Sequence, residues 1–202
     1  MMRHASAIIC GSRHTQSEVP AASQHKTVYI PENAIDPCRF SVQREHRASV
    51  PLRCLFLGRL VPYKGADMLI EAIASLASAG QLTLSVVGDG PERSRLQAMV
   101  RSHGIGNAVT FVGEVPHTEV QGHLASADLL TFPSIREFGG GVILEAMAVG
   151  VVPMAGAYAG PAELMTEATA FPIPLGGRDD IIASLRATLE GLVEDPAVEE
   201  AG

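Results

Sequence analysis

The chain has 202 residues, 47% of them apolar and 18% charged, with no Trp and a formal net charge of −7. That suits one domain with an appendage or two small domains; it excludes a disordered chain and, for want of a basic stripe, general nucleic-acid binding. No apolar run approaches the ~20 residues of a membrane span, and three cysteines at unpatterned spacing (Cys10, Cys38, Cys54), with no CxxC and no signal peptide, point to a reducing, cytoplasmic setting.

Up to about residue 50 the pattern is irregular. A short strand-like ASAIICGS is followed by a polar stretch to His25, then KTVYIPENAIDPCRF, then SVQREHRASVP, which reads as a linker. From Arg53 onward strand and helix patterns alternate with little waste. CLFLG (54–58) is an almost wholly apolar run, as a parallel strand covered on both faces requires. ADMLIEAIASLASAG places Leu69, Ile70, Ile73, Leu76 and Ala77 on one helical face, and Gly80 fits a C′ stop. LTLSVVGDG is a second strand, and PERSRLQAMVRSHG a helix with Pro91 near its first position. AVTFVG is a third strand. In VPHTEVQGHLASA the spacing of Thr118 and Gln121 fits a capping box and predicts a helix starting near Glu119. ADLLTFPS, a helix in GGVILEAMAVG, and VVPMAG follow. GPAELMTE and DDIIASLRATLEGLVED supply the last helices, with a short extended TAFPI between them.

Five strand–helix alternations predict an α/β fold with a doubly wound parallel, Rossmann-like sheet. In such sheets ligands bind beyond the carboxyl ends of the strands. The loops after Leu57, Val87, Val112, Phe132 and Met154 therefore share one edge, and they hold most of the glycines together with Arg59, Lys64, Asp89 and Glu137. Gly58 permits a tight exit from the first strand; Arg59 and Lys64 bring two cations to the edge or simply face water. EFGGGVILE (137–145) says more. If the glycines open the helix, its free N–H groups and positive dipole end form an anion seat that a phosphate can approach closely. Alternatively the run packs the helix tightly on the sheet. Glu137 is compatible with a helix start on dipole grounds alone. Glu145, set among apolar neighbours, calls for a partner, and a carboxylate is a strong acceptor for paired hydroxyls. The seven histidines are scattered, with no metal-ligand spacing, and read mostly as solvated surface.

The motifs G-R-L-x-x-x-K-G, V-V-G-D-G-P, F-V-G-x-V-P and E-x7-E before A-M-A-x-G, in that order, resemble the donor-binding domain of family 4 retaining glycosyltransferases of the GT-B fold. VYIPENAID resembles the I-P-N-G-V-D segment that ends the acceptor domain of those enzymes, with Glu32-Asn33-Ala34 in place of the Asn-Gly turn. GPAEL resembles the loop and helix after the fifth strand. The resemblance implies that residues 1–50 are a remnant of the N-terminal acceptor domain plus interdomain linker, and 51–202 the nucleotide-sugar donor-binding domain. It implies catalytic roles for Arg59, Lys64 and Glu137. Arg59, Lys64 and the N–H groups of Gly139, Gly140 and Gly141 would hold the diphosphate, and Gly58, Gly88, Phe138 and Val142 would also belong to the nucleotide-sugar-binding site. Glu137 would take the sugar hydroxyls and Glu145 the ribose, and the loop with Gly113 and Val115 would seat the base. No metal and no cofactor beyond the nucleoside-diphosphate sugar are implied. The acceptor half would be missing, so the isolated chain would be inactive or nearly so. A non-catalytic nucleotide-sugar-binding module and a same-fold sugar-nucleotide epimerase fragment stand as alternatives. The remaining expectations are exposed N-terminal strands able to drive dimerisation and room for peripheral membrane association of an intact enzyme.

Overall fold

The computed structural model describes residues 4–31, 33–42 and 51–194. The expected linker over 41–51 therefore lies mostly outside the described residues. Near the N-terminus, β1 (Ile8–Cys10) and β2 (Thr27–Tyr29) pair in parallel. They are connected through α1 (Arg13–Glu18) and a 3-10 turn at Ala21–Lys26. Ile9, Val28 and Ile30 stay exposed on this small sheet. The unit docks through Glu163, whose Oε1 accepts from the N–H groups of Arg13 (2.6 Å) and His14 (3.3 Å), two donors that a helix start leaves unpaired.

The main body is a six-stranded, all-parallel sheet in the order β5-β4-β3-β6-β7-β8. Its strands are β3 (Leu52–Leu57), β4 (Leu82–Val87), β5 (Val109–Gly113), β6 (Leu129–Phe132), β7 (Val152–Gly156) and β8 (Phe171–Ile173). The segment TAFPI is thus a true edge strand, paired with β7, and extends the five-strand pattern by one. Six helices connect and cover it: α2 (Ala66–Ser78), α3 (Arg93–Ser102), α4 (His117–Ala125), α5 (Gly141–Ala148), α6 (Ala159–Leu164) and α7 (Arg178–Glu194).

Alternation along each strand builds two cores, because successive side chains point to opposite faces. Cys54, Phe56, Leu84 and Val86 pack with α2, α3 and α7; Leu55, Val87, Leu130 and Phe132 pack with α4 and α5. The predicted face of α2 is buried throughout, and Gly80, at φ +72, ends that helix. At the far end of β6, buried Asp128 accepts from the N–H, Nε and Nη2 of Arg53 at 2.6–3.0 Å. Phe40, 6% exposed, belongs to the second core, so the stretch around it packs on the main body.

Two helix starts differ from the sequence expectation. α3 begins at Arg93 after a Pro91–Glu92 turn. α4 begins at His117 on Pro116, with no side-chain cap, and Glu119 N–H donates to the Pro116 carbonyl. The Thr118–Gln121 capping box does not form, and Gln121 Oε1 is buried with no partner among the described residues. The fixed φ of Pro116 suits the residue that enters a helix, and it outcompetes a capping threonine two residues later. Among the described residues no helix is long and apolar enough to cross a membrane.

Candidate functional site

The sheet changes direction at β3. β4 and β5 extend it on one side, and the chain then returns to place β6 on the other. Loops leaving β3 and β6 part at that point and open a crevice at the carboxyl edge. The β3 loop runs through Gly58 and a 3-10 turn at Pro62–Lys64; the β6 loop runs from Pro133 to Gly140. The two are stitched to each other. Ile135 N–H donates to the Tyr63 carbonyl at 3.0 Å, and the buried Ser134 hydroxyl lies 3.3 Å from the same oxygen. Gly65 has φ +75, and a Cβ there would lie 2.5 Å from the Pro133 carbonyl oxygen, so the close approach requires glycine.

This stitching brings Lys64 to Glu137. The ammonium donates to Glu137 Oε2 and lies 4.7 Å from the centre of the Phe132 ring; both charged side chains are 16% exposed. Glu137 Oε1 accepts from its neighbour's N–H, Phe138, at 3.2 Å.

The glycine run divides its labour. Gly140 is the N-cap of α5 in the left-handed region (φ +72), and a Cβ on it would meet the Pro161 ring at 3.1 Å. Gly139 packs by its backbone: a Cβ on Gly160 would lie 2.8 Å from its Cα. Gly141 is the first helical residue, and it and Val142 line the crevice. Conformation and packing thus account for two of the glycines, while the start of α5 borders the crevice, with Asn33 Oδ1 3.4 Å from where a Cβ on Gly141 would lie.

One turn into α5, Glu145 Oε1 lies 3.0 Å from His117 Nε2. The other ring nitrogen of His117, Nδ1, lies 2.6 Å from Arg39 Nη2. His117 was not singled out by the sequence, where it reads as surface. The available signal was its position immediately after the β5 loop, on the same edge as Arg59 and Glu137.

Two adjoining cavities share Leu57, Gly58 and Val120. One, of about 260 Å³, holds Gly58, Lys64, His117, Glu137, Gly141, Val142 and Glu145. The other, of about 470 Å³, holds Arg59, Gly88, Asp89, Gly90, Glu114 and Val115. Lys64 and Arg59 therefore serve neighbouring lobes, Lys64 already paired and Arg59 exposed. In the second lobe the Gly90 N–H, and after it the Arg93 guanidinium, hold the Asp89 carboxyl below the usual carboxylate range. Gly88 is there for backbone contact: a Cβ would fall 2.0 Å from the Gly58 carbonyl oxygen, while its N–H donates to Gly113. Gly113 supports that contact and lines neither lobe; Gly139 and Gly140 line neither lobe either. A third cavity of about 540 Å³ separates α1 from the crevice. Lys64, Arg136, Glu137 and Phe138 line one wall, Tyr158 and Ala159 another, and His14, Thr15 and Glu18 the side toward the N-terminal unit. Among the described residues no cluster of three or more His, Cys, Asp or Glu could hold a metal ion.

Known proteins resemble the chain in sequence and in fold. The chain is 33% identical over 143 residues to the 2-deoxystreptamine glucosyltransferase of Streptomyces kanamyceticus, covering 70% of this chain and 36% of that one. It is also 33% identical over 175 residues to a GDP-mannose-dependent alpha-(1-6)-phosphatidylinositol monomannoside mannosyltransferase of Mycolicibacterium smegmatis, covering 77% and 45%. The chain thus spans less than half the length of the curated relatives it matches. In fold it is similar to Anabaena HepE, solved with UDP-glucose, at a TM-score of 0.81 and 24% identity over 98% of this chain and 57% of that one. Residues 42–191 match the family described as glycosyl transferases group 1, and the chain belongs to that family.

Proposed function

We propose that the chain is the nucleotide-sugar donor-binding half of a retaining glycosyltransferase of the family 4 type, with the donor as its only small-molecule requirement. The observation that carries this reading is the crevice at the turning point of the sheet. It gathers Gly58, Lys64, Glu137, Gly141, Val142 and Glu145 in one cavity, with Arg59, Gly88 and Val115 in the lobe beside it. A diphosphate is seated at the start of α5, where N–H groups lack intrahelical acceptors, between Lys64 and Arg59. Glu145 accepts from the ribose, and the base lies toward Val115. The donor sugar extends to Glu137.

In the reaction the bond from the anomeric carbon to the diphosphate breaks and the acceptor oxygen bonds to that carbon from the same face. The acceptor's proton leaves with the departing phosphate oxygen or solvent. Negative charge grows on the diphosphate as this occurs. Lys64, Arg59 and the α5 start supply donors to that charge, the kind of electrostatic stabilisation that lowers such barriers most. Glu137 fixes the angle of attack by holding the sugar.

Support from known proteins is the family membership and the UDP-glucose complex of Anabaena HepE, a protein of the same fold. Titration calorimetry with UDP, GDP and their sugars, run beside product analysis, tests the reading. The purified 202-residue chain is expected to bind a donor and to transfer nothing beyond a trace of hydrolysis. Failure to bind any nucleoside diphosphate, or a robust transfer rate, would overturn it.

A further inference from the structure

Arg39 lies in the segment 33–42, upstream of the main sheet, yet its guanidinium reaches His117 at 2.6 Å. A guanidinium has donors only and does not lose its proton. Nδ1 of His117 must therefore be the acceptor and carry no hydrogen. A neutral imidazole keeps its hydrogen on the other nitrogen, so Nε2–H donates to Glu145 Oε1 at 3.0 Å. The Phe40 ring stands edge-on to His117, 5.8 Å between centroids and 83° between planes. Phe40 itself is anchored among Val120, Leu124 and Leu130. On its open side His117 borders the cavity that holds Gly58, Lys64 and Gly141.

We propose that Arg39 and His117 are positioning residues for the Glu145 carboxylate: Arg39 fixes the Nε2–H tautomer of His117, and His117 in turn occupies Glu145 Oε1. That orients the second oxygen, Oε2, to accept from a ligand hydroxyl, and among the described residues no donor to Oε2 is found. The arrangement makes segment 33–42 a working part of the nucleotide site, although it precedes the sheet that builds the crevice. The inference rests on the reading of Glu145 as the ribose grip, and it adds the selection of one tautomer and one carboxylate oxygen. Asn33 strengthens the link between segment and site, since its Oδ1 lies 3.4 Å from where a Cβ on Gly141 would be.

Calorimetry on the full chain tests this with UDP, which carries a ribose, and inorganic pyrophosphate, which does not. The His117 side chain is half exposed and acts through Glu145, so the expected loss lies below that of a direct charge-assisted bond. His117→Ala should weaken UDP binding about fivefold and leave pyrophosphate unchanged. His117→Gln places an amide donor near the position of Nε2–H and should stay within about twofold of wild type. Arg39→Ala should cost about threefold for UDP. In long-range proton–nitrogen NMR spectra, above the imidazole titration range, wild-type His117 should show a bare Nδ1 and a protonated Nε2. Arg39→Ala should shift it toward a tautomer mixture. In the Glu145→Ala background, His117→Ala should add nothing. If Glu145→Ala leaves UDP affinity intact, the ribose assignment itself has failed. If Glu145→Ala weakens UDP while His117→Ala does not, or weakens pyrophosphate equally, the positioning role is overturned. A protonated Nδ1 in the wild-type protein overturns it without reference to any ligand.

Discussion

The Lys64–Glu137 pair makes an unusual demand on the proposed diphosphate site, and Glu137→Gln isolates it. In the free protein the ammonium is already committed to the carboxylate. A phosphate that takes Lys64 must share it and also lie close to the Glu137 charge. Glutamine keeps the shape, and its Oε1 still accepts from Phe138 N–H, but it removes the charge. For a phosphate charge about 6 Å from the carboxylate, Coulomb's law runs from about 0.7 kcal/mol at the dielectric of water to about 2.8 kcal/mol at an effective value of about 20. Both side chains keep 16% exposure, so the working figure lies between these, about 1.4 kcal/mol, or a tenfold gain in affinity. Glu137→Gln should therefore tighten bare UDP about tenfold. It should fail to tighten UDP-sugar to the same degree, because each hydroxyl bond to the carboxylate is worth about 1.5–3 kcal/mol and is weakened. Lys64→Ala should move both ligands the other way, by about tenfold or more. Paired titrations at low ionic strength, where screening is least, give all six numbers. If Glu137→Gln weakens UDP as much as Lys64→Ala does, Glu137 is part of the diphosphate seat and the division of roles is wrong.

Two further outcomes follow from the packing. Asp128→Ala strips the acceptor from three Arg53 donors at the opposite end of the sheet. Since Arg53 is partly exposed, the cost should be about 3 kcal/mol, seen as a melting temperature roughly 8 °C lower with UDP affinity unchanged. Gly65→Ala combines left-handed strain with a clash against Pro133; it should cost about 2–4 kcal/mol and weaken UDP binding, since it pries the Lys64 loop from the Glu137 loop. Retained stability in either variant, by thermal denaturation, would contradict the packing argument behind it.

Much of the fold is legible in the sequence because the strands are largely apolar and helices such as α2 carry a clear 3.6-residue stripe. Cys54–Phe56 and Leu69–Ala77 leave little choice of element. The strand at Phe171–Ile173 is harder to read: three residues carry no periodicity, and only pairing with β7 identifies them. The Thr118 cap fails for a different reason, since Pro116 sets the entry to α4 first. In the crevice, residues grouped by motif do lie together, but what each glycine does is set by contacts with Gly58, Pro133, Gly160 and Pro161, all remote or later in the chain. The Arg39–His117–Glu145 chain joins residues 39, 117 and 145. Nothing in local spacing connects them; they meet because Phe40 buries itself beside α4.

Charges around the crevice sharpen what it selects. Its two lobes present Arg59 and Lys64 against Asp89, Glu114, Glu137 and Glu145. Several of these acids are engaged, Asp89 with Arg93, Glu137 with Lys64 and Glu145 with His117. Even so, the lining carries more carboxylates than cations, and a bare anion meets a field that is at best neutral. Its attraction must come from close contact with Lys64, Arg59 and the N–H groups at the start of α5, and not from long-range charge. A ligand with hydroxyls on either side of the phosphates meets the same carboxylates as acceptors. Under the proposed assignment the acids penalise free phosphate and reward a hydroxyl-flanked diphosphate, which is specificity by repulsion as much as by attraction. A cluster of additional cations would bind phosphate more tightly and discriminate less. Under the proposed assignment, the net acidity of the chain and its affinity for a dianionic donor are therefore parts of one design.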